Sequence, residues 1–263
     1  MRILMLGDVI GRPGREAVSR YLPSMVEEYE PDFVLANGEN LAGGLGITQE
    51  TALPLFDFGV DVITLGNHVW AQRQSENFIA AEPRVVRPAN LPPDVPGRGF
   101  GVFRTRSGQQ VGVVNLLGRI FMNPVDDPFR TADKIISCLK TDTPIIVVDF
   151  HAEATSEKAA LAWDLDGRVS AVLGTHTHVQ TSDERLLPKG TAFITDVGMV
   201  GPYDSILGLS PGVVINNFRL QMKPKVEIAS GQAIVCGVLI DVEDDSGRAV
   251  GISRLSIIEK RGE

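Results

Sequence analysis

Residues 171–178 read Ala171-Val172-Leu173-Gly174-Thr175-His176-Thr177-His178, a short apolar run stopped by a glycine and followed by two histidines one residue apart. In a turn after Gly174 the two imidazoles can reach two different ions. Alone, such a pair is a weak sign of metal binding. Its weight depends on whether other runs end the same way.

They do. Arg2–Leu6 stops at Gly7-Asp8, Phe33–Ala36 at Asn37-Gly38-Glu39-Asn40, and Val60–Leu65 at Gly66-Asn67-His68. Pro144–Val148 precedes Asp149-Phe150-His151, and Ala192–Thr195 precedes Asp196-Val197-Gly198. Helices are predicted between them at Pro13–Tyr29 (with a candidate kink at Pro23), Thr48–Phe58 (Thr48 as N-cap), Ala71–Ala81, Pro128–Leu139 and Ser156–Leu165. Two hairpins are predicted, Phe100–Arg106 with Val111–Leu116 and Ala233–Val242 with Ala249–Glu259. Strand–helix alternation with added hairpins is an α/β pattern of two sheets face to face with helices outside. Ligands then collect beyond the carboxyl ends of strands.

The 263 residues carry 25 basic and 33 acidic side chains, a formal charge of −8, which disfavours a protein that coats duplex nucleic acid or a membrane surface. With 43% hydrophobic and 22% charged residues the chain is an ordinary globular sequence, not a disordered one. No linker or repeat divides it, so one domain over 1–263 is expected. Cys138 and Cys236 sit in apolar runs and read as buried, reduced thiols. Neither a signal peptide nor an eighteen-residue apolar run is recognisable, so a cytoplasmic location away from the membrane is expected.

All four histidines, His68, His151, His176 and His178, trail apolar runs, in the company of Asp8, Glu39, Asn40 and Asn67. Taken singly, Asp8 or Glu39 reads equally well as a helix cap or a turn acid, and Asn40 or Asn67 as a turn residue. Taken as a set, they are candidate metal ligands. Imidazole and carboxylate together suit Mn, Fe or Zn better than Ca or Mg. Glu39, with two oxygens, is the expected bridge between two ions, and ions roughly 3.5–4 Å apart can clamp both oxygens of an in-line phosphoryl displacement. His68 directly follows Asn67, so the two do not easily share an ion. Asn67 is assigned to metal through its amide oxygen, and His68 to protonating a leaving alkoxide.

In order and spacing, Gly7-Asp8, Gly66-Asn67-His68, Phe150-His151 and Gly174-Thr175-His176-Thr177-His178 resemble the calcineurin-like metallophosphoesterase superfamily. There are departures: Ile10 stands where that pattern has a histidine, Glu39 replaces its bridging aspartate, and Thr175 replaces a further histidine. These point to a narrower resemblance. Gly-Asp-Val-Ile-Gly, Asn-Gly-Glu-Asn-Leu-Ala-Gly-Gly, Gly-Asn-His-Val-Trp, Asp-Phe-His-Ala-Glu, Gly-Thr-His-Thr-His-Val and Thr-Asp-Val-Gly-Met together look like the bacterial YmdB-like phosphodiesterases.

That resemblance implies a four-layer α/β/β/α sandwich and two metal ions. Asp8, Glu39, Asn40 and His178 would hold one, with Asn40 in place of the missing histidine. Glu39, Asn67, His151 and His176 would hold the other, and His68 would be the proton donor. The implied activity is hydrolysis of a small phosphodiester, a 2′,3′-cyclic nucleotide such as 2′,3′-cyclic AMP, by in-line attack of a hydroxide held between the ions. Two other readings stay open. One is a nuclease acting on RNA or DNA ends, disfavoured by the acidic balance. The other is a regulatory metal-binding protein with little turnover, for which a free acid such as His68 is unnecessary.

Substrate contacts are less legible. Ala42-Gly43-Gly44 reads as a flexible turn or a close approach to phosphate, and the segments Arg119–Phe129 and Gly201–Gly208 are long enough to overhang the site. Phe121 or Tyr203 is a candidate to stack on a base, and Asp196 to orient a ligand histidine. The sequence does not fix the oligomeric state, and exposed hairpin edges leave a homo-oligomer open.

Overall fold

Alternate residues of a strand face opposite ways, and in β1 (Arg2–Val9) they serve two different cores. Leu4 and Leu6 pack with helix residues such as Val18, Leu22 and Leu55, whereas Ile3 and Met5 pack with residues of a second sheet, among them Val113, Val147 and Leu173. The computed structural model describes residues 1–221 and 225–260. Its first sheet adds β2 (Phe33–Asn37), β3 (Val62–Thr64), β4 (Val85–Val86), β11 (Met199–Pro202), β12 (Ala233–Val242) and β13 (Ala249–Ile258), in the order β13-β12-β11-β1-β2-β3-β4. The second comprises β5 (Phe100–Arg104), β6 (Gln110–Leu117), β7 (Ile146–His151), β8 (Ala171–Thr175), β9 (Arg185–Leu186) and β10 (Ala192–Ile194), in the order β5-β6-β7-β8-β10-β9.

Helices α1 (Gly11–Tyr29), α2 (Gln49–Asp57) and α3 (Ser75–Ala81) cover the first sheet, and α4 (Pro128–Leu139) and α5 (Thr155–Asp164) cover the second. α6 (Pro211–Leu220) follows β11. Three apolar clusters therefore separate four layers, and the fold is an α/β/β/α sandwich. Burying each aliphatic side chain between the sheets is worth about 1.5–3 kcal/mol, which favours stacking both sheets over leaving either face wet.

Helix ends follow local chemistry. Thr48 caps α2 in a reciprocal box with Thr51, and Asp127 caps α4 by accepting from the Phe129 and Arg130 N–H groups, with Pro128 at the first turn. Both expected hairpins are present as antiparallel pairs.

Several expectations are corrected. α1 starts at Gly11 and runs through Pro23 as one element. The helix expected from Ala71 begins only at Ser75, because the chain after Asn67 first makes turns that bring His68 back over Glu39. β7 continues past Val148 to His151, and α6 was not anticipated. Cys138 is exposed, on the outer side of α4, while Cys236 is buried; both are free.

One irregularity positions the site. β1 pairs with β2 as Leu6↔Ala36, but the next partners are Asp8↔Asn37, so Gly7 is an extra residue on β1. This bulge places Asp8 where regular pairing would put residue 7, on the face turned to the second sheet. Gly7 has no alternative: a Cβ there would lie 1.9 Å from the Gly198 carbonyl oxygen.

Candidate active site at the strand ends

The carboxyl ends of β1, β2, β3, β7 and β8 meet between the sheets, and each contributes polar groups there. At their base is a buried network around Asp149. Its carboxylate accepts from Thr175 Oγ1 at 2.7 Å, Thr64 Oγ1 at 2.5 Å and Asn37 Nδ2 at 3.0 Å. Burial raises the Asp149 carboxyl above its usual range, against the pull of the nearby His151 and of its own donors. Asn37 also accepts the Glu39 N–H through Oδ1 at 3.1 Å, an Asx-type turn that swings Glu39 up from the end of β2.

These contacts fix the imidazoles. The Thr175 hydroxyl gives its proton to Asp149, so its oxygen accepts from His151 Nδ1 at 2.9 Å. The His151 Nε2 lone pair then faces Glu39 Oε1 at 3.1 Å, Asn67 Oδ1 at 3.1 Å and His176 Nδ1 at 3.0 Å. His176 in turn places Nε2 3.0 Å from Glu153 Oε2, and His178 places Nδ1 3.0 Å from the Leu207 carbonyl. Each ring thus has one nitrogen tied to a protein acceptor, which aims the other inward, the usual arrangement around a metal.

Glu39, His151 and His176 offer ligand atoms all within 4.8 Å of one another, a group that can hold a metal ion. The separations of about 3 Å from His151 Nε2 to Glu39 and His176 suit it. Ligand atoms about 2.1 Å from one ion lie roughly 3 Å apart along the edge of an octahedron. Beside this group, Asp8 Oδ2 accepts the His176 N–H at 3.1 Å, while Asp8 Oδ1 is buried with no hydrogen-bond partner among the described residues. That oxygen lies 4.0 Å from His178 Nε2, which is 3.1 Å from Asn40 Nδ2. An orphaned carboxylate oxygen facing an imidazole lone pair fits a second cation.

The electrostatics have the same centre. Burial pushes Asp8 up to about 6 against the pull of His178 and His151. Burial also opposes charge on Glu39, but His151 and His68 outweigh it and hold Glu39 well below the usual carboxylate range. Burial would lower His151, yet Glu39 above all raises it to about 9; burial and the neighbouring His151 lower His176 to about 3.

His68 is about one-third exposed. Its N–H bonds Glu39 Oε2 at 3.0 Å and its Nδ1 lies 3.1 Å from Asn40 Oδ1. The eight sequence-predicted residues therefore come together. Gly66 has to be glycine for this, since a Cβ there would lie 2.2 Å from Glu39 Oε2 and 2.4 Å from His151 Nε2.

Above the cluster opens a cavity of about 380 Å³. Asn40, His68, Glu153, His176 and His178 supply its chemistry, and Ile10, Leu45, Val179, Leu207, Leu209 and Val226 form apolar walls. Among the described residues no Lys or Arg lines it. Gly44 does, whereas Phe121 and the segment Arg119–Phe129 do not; Tyr203 lines an adjoining cavity. Asp196 touches neither imidazole and instead accepts the Thr177 N–H at 3.0 Å.

Sequence reasoning gave no role to Glu153, Asp149, Thr175 or Lys158. Asp149 had a sign, an acid inside an apolar run, and Glu153 stands two residues after His151. Lys158 had none.

A two-sheet sandwich with this cluster at its strand ends defines a metallophosphoesterase, and the comparisons narrow the class. A model of the family described as YmdB-like protein matches residues 4–255. The chain is 49% identical over 257 residues to the 2′,3′-cyclic-nucleotide 2′-phosphodiesterase of Bacillus subtilis (strain 168), covering 98% of this chain and 97% of the relative. Two crystal structures superpose with TM-scores of 0.92. One is a Thermus thermophilus protein, 43% identical, covering 99% of this chain and 100% of that one; the other is a Mycoplasma pneumoniae phosphatase, 34% identical, covering 98% and 94%. The chain belongs to the YmdB-like family.

Proposed function

We propose that the protein is a metal-dependent phosphodiesterase that hydrolyses small 2′,3′-cyclic nucleotides at the 2′ ester, leaving the phosphate on the 3′ oxygen. The observation that carries it is the convergence of Glu39, Asn67 and His176 on His151 Nε2, each at about 3 Å, beneath a cavity whose described lining has no Lys or Arg. A phosphodiester entering that cavity needs positive charge that none of these lining side chains supplies. The named activity of the B. subtilis relative supports the choice of substrate and bond.

Glu39, Asn67, His151 and His176 would hold one divalent ion; Asp8, Asn40, His178 and the same Glu39 would hold the second. Asn40 presents its amide oxygen to that set after a half-turn of the amide, whose two ends have the same shape. Iron or manganese suits these mixed nitrogen and oxygen donors, and zinc is compatible. Bound there, such ions supply an acidified water and neutralise charge on the phosphoryl oxygens. The chain's own residues do the rest. The apolar walls seat the nucleoside and exclude bulk water. His68, held by Glu39 through its backbone N–H and its Nδ1, protonates the departing ribose oxygen.

The lack of cationic side chains in the described lining of the cavity weighs against a nuclease that grips a strand by its phosphates. Among the described residues no helix is long and apolar enough to cross a membrane. A cytoplasmic location is the matching proposal.

The test is to incubate manganese-loaded protein with 2′,3′-cyclic AMP and resolve the products by chromatography. Formation of 3′-AMP alone, abolished by chelator, is expected. Formation of 2′-AMP would reverse the bond assignment, and no conversion by protein carrying two ions would overturn the substrate.

A further inference from the structure

Lys158 and Asp196 form an ion pair wholly removed from solvent, with Nζ 2.8 Å from Oδ2 and both side chains 0% exposed. Lysine is almost never fully buried without a specific partner, and the packed seam between α5 and its sheet would accept an apolar residue more cheaply. The pair therefore needs a reason beyond packing.

That reason lies in the other bonds the same carboxylate accepts. Asp196 Oδ2 also accepts the Thr177 N–H at 3.0 Å, and Oδ1 accepts the Gly198 N–H at 2.8 Å. The backbone of Asp196 is itself fixed by reciprocal bonds with Thr181. Thr177 stands between His176, at φ 106°, and His178, at φ 63°, two left-handed conformations that side-chain-bearing residues rarely adopt. Such backbone persists only where its surroundings over-determine it. Here two consecutive N–H groups, of His176 and Thr177, are taken by two carboxylates, Asp8 and Asp196.

We propose that the buried Lys158–Asp196 pair is a positioning device that holds the Thr177 N–H and thereby sets the backbone that aims His176 Nδ1 and His178 Nε2 at separate ions. Lys158 supplies the counter-charge that the buried carboxylate cannot take from water, and Asp196 holds the turn through the Thr177 N–H. Neither residue lines the substrate cavity. The consequence for metal binding rests on the function proposed above; the geometric claim does not.

Two measurements test it. In the metal-free protein, hydrogen exchange by NMR should show the Thr177 amide protected as well as amides inside β8; exchange as fast as in open loops would overturn the proposal. The double variant K158M/D196L removes both charges at similar volume but leaves the Thr177 N–H without an acceptor. It is expected to fold, to bind Mn²⁺ about 10–100-fold more weakly, and to exchange the 176–178 amides at least about tenfold faster. A folded double variant with unchanged Mn²⁺ affinity and unchanged protection would make the pair merely structural and defeat the proposal. If the double variant does not fold, the exchange measurement on the unaltered protein decides. If the unaltered protein binds no Mn²⁺, the metal reading fails, and the exchange results alone judge the positioning role.

Discussion

His176 Nδ1 lies 3.0 Å from His151 Nε2, although each ring has committed its other nitrogen to a protein acceptor, Glu153 for the one and Thr175 for the other. Two imidazoles so anchored point lone pairs at a common space, which a proton or a cation has to fill. The raised affinity of His151 for a proton, with a pKa of about 9, reflects that demand: burial opposes the charge, and the Glu39 carboxylate outweighs it.

A metal held as proposed would therefore compete with a proton at His151. The folded-state pKa lies above the ordinary value near 6.5, so this group's stabilisation of the metal-free protein is complete below about 6.5 and is lost as pH rises through about 9. The loss is on the order of 3 kcal/mol if the full shift is expressed. Metal-loaded protein has no such proton to lose. The gap in melting temperature between loaded and metal-free protein is expected to widen from about pH 6.5 to about pH 9. Calorimetric titration with Mn²⁺ near neutral pH should also show proton release in buffers of different ionisation enthalpy. A gap that is constant or shrinks over that range would contradict this role for His151.

His68→Ala is expected to lower turnover by about 10²–10⁴-fold, the usual worth of a general acid, while bound metal stays the same. If metal analysis of the variant found both ions gone, His68 would have to be a ligand.

Gly66→Ala should be more damaging than a glycine-to-alanine change normally is. The new methyl would occupy the space of Glu39 Oε2 and His151 Nε2 at once. Loss of bound metal with little change in far-UV circular dichroism is expected. Full metal occupancy would mean that the cluster can move aside.

Glu153→Gln keeps a hydrogen-bond acceptor near His176 Nε2 but removes the charge. Metal affinity should fall about 10–100-fold, as for other outer partners of metal-bound histidines. An unchanged affinity would show that this half-exposed carboxylate does not orient the ring.

Much of this site was written locally. Each candidate ligand follows an apolar run, and runs that end in Gly, Asn, Asp or His announce strand ends in any α/β protein, which is why Asp8, Glu39, Asn40, Asn67, His151, His176 and His178 could be chosen together. α4 was legible to its boundaries because an N-cap aspartate and a proline mark its start and its apolar face is strongly periodic.

What stayed hidden depends on tertiary structure. Period-two alternation puts Asp8 on the face of Leu4 and Leu6, and only the bulge at Gly7 turns it to the ligands. α6 buries Val214 alone, with Ile215 and Phe218 exposed, so it carries no apolar stripe to read. Lys158 looked like any charge on an amphipathic helix, since its partner Asp196 lies 38 residues away. Cys138 sits in an apolar run but points away from the sheet, because successive residues of a helix turn through all its faces.

In the proposed function, two ions held by one set of strand-end residues make this site a phosphodiesterase. The most direct measurement is to titrate Mn²⁺ into metal-free protein and follow bound ions per chain and the rate of 2′,3′-cyclic AMP hydrolysis in the same samples. The rate is expected to stay near zero until the second ion binds and to reach its plateau at two ions per chain. Full activity with one ion bound, or activity that survives metal removal, would contradict the account.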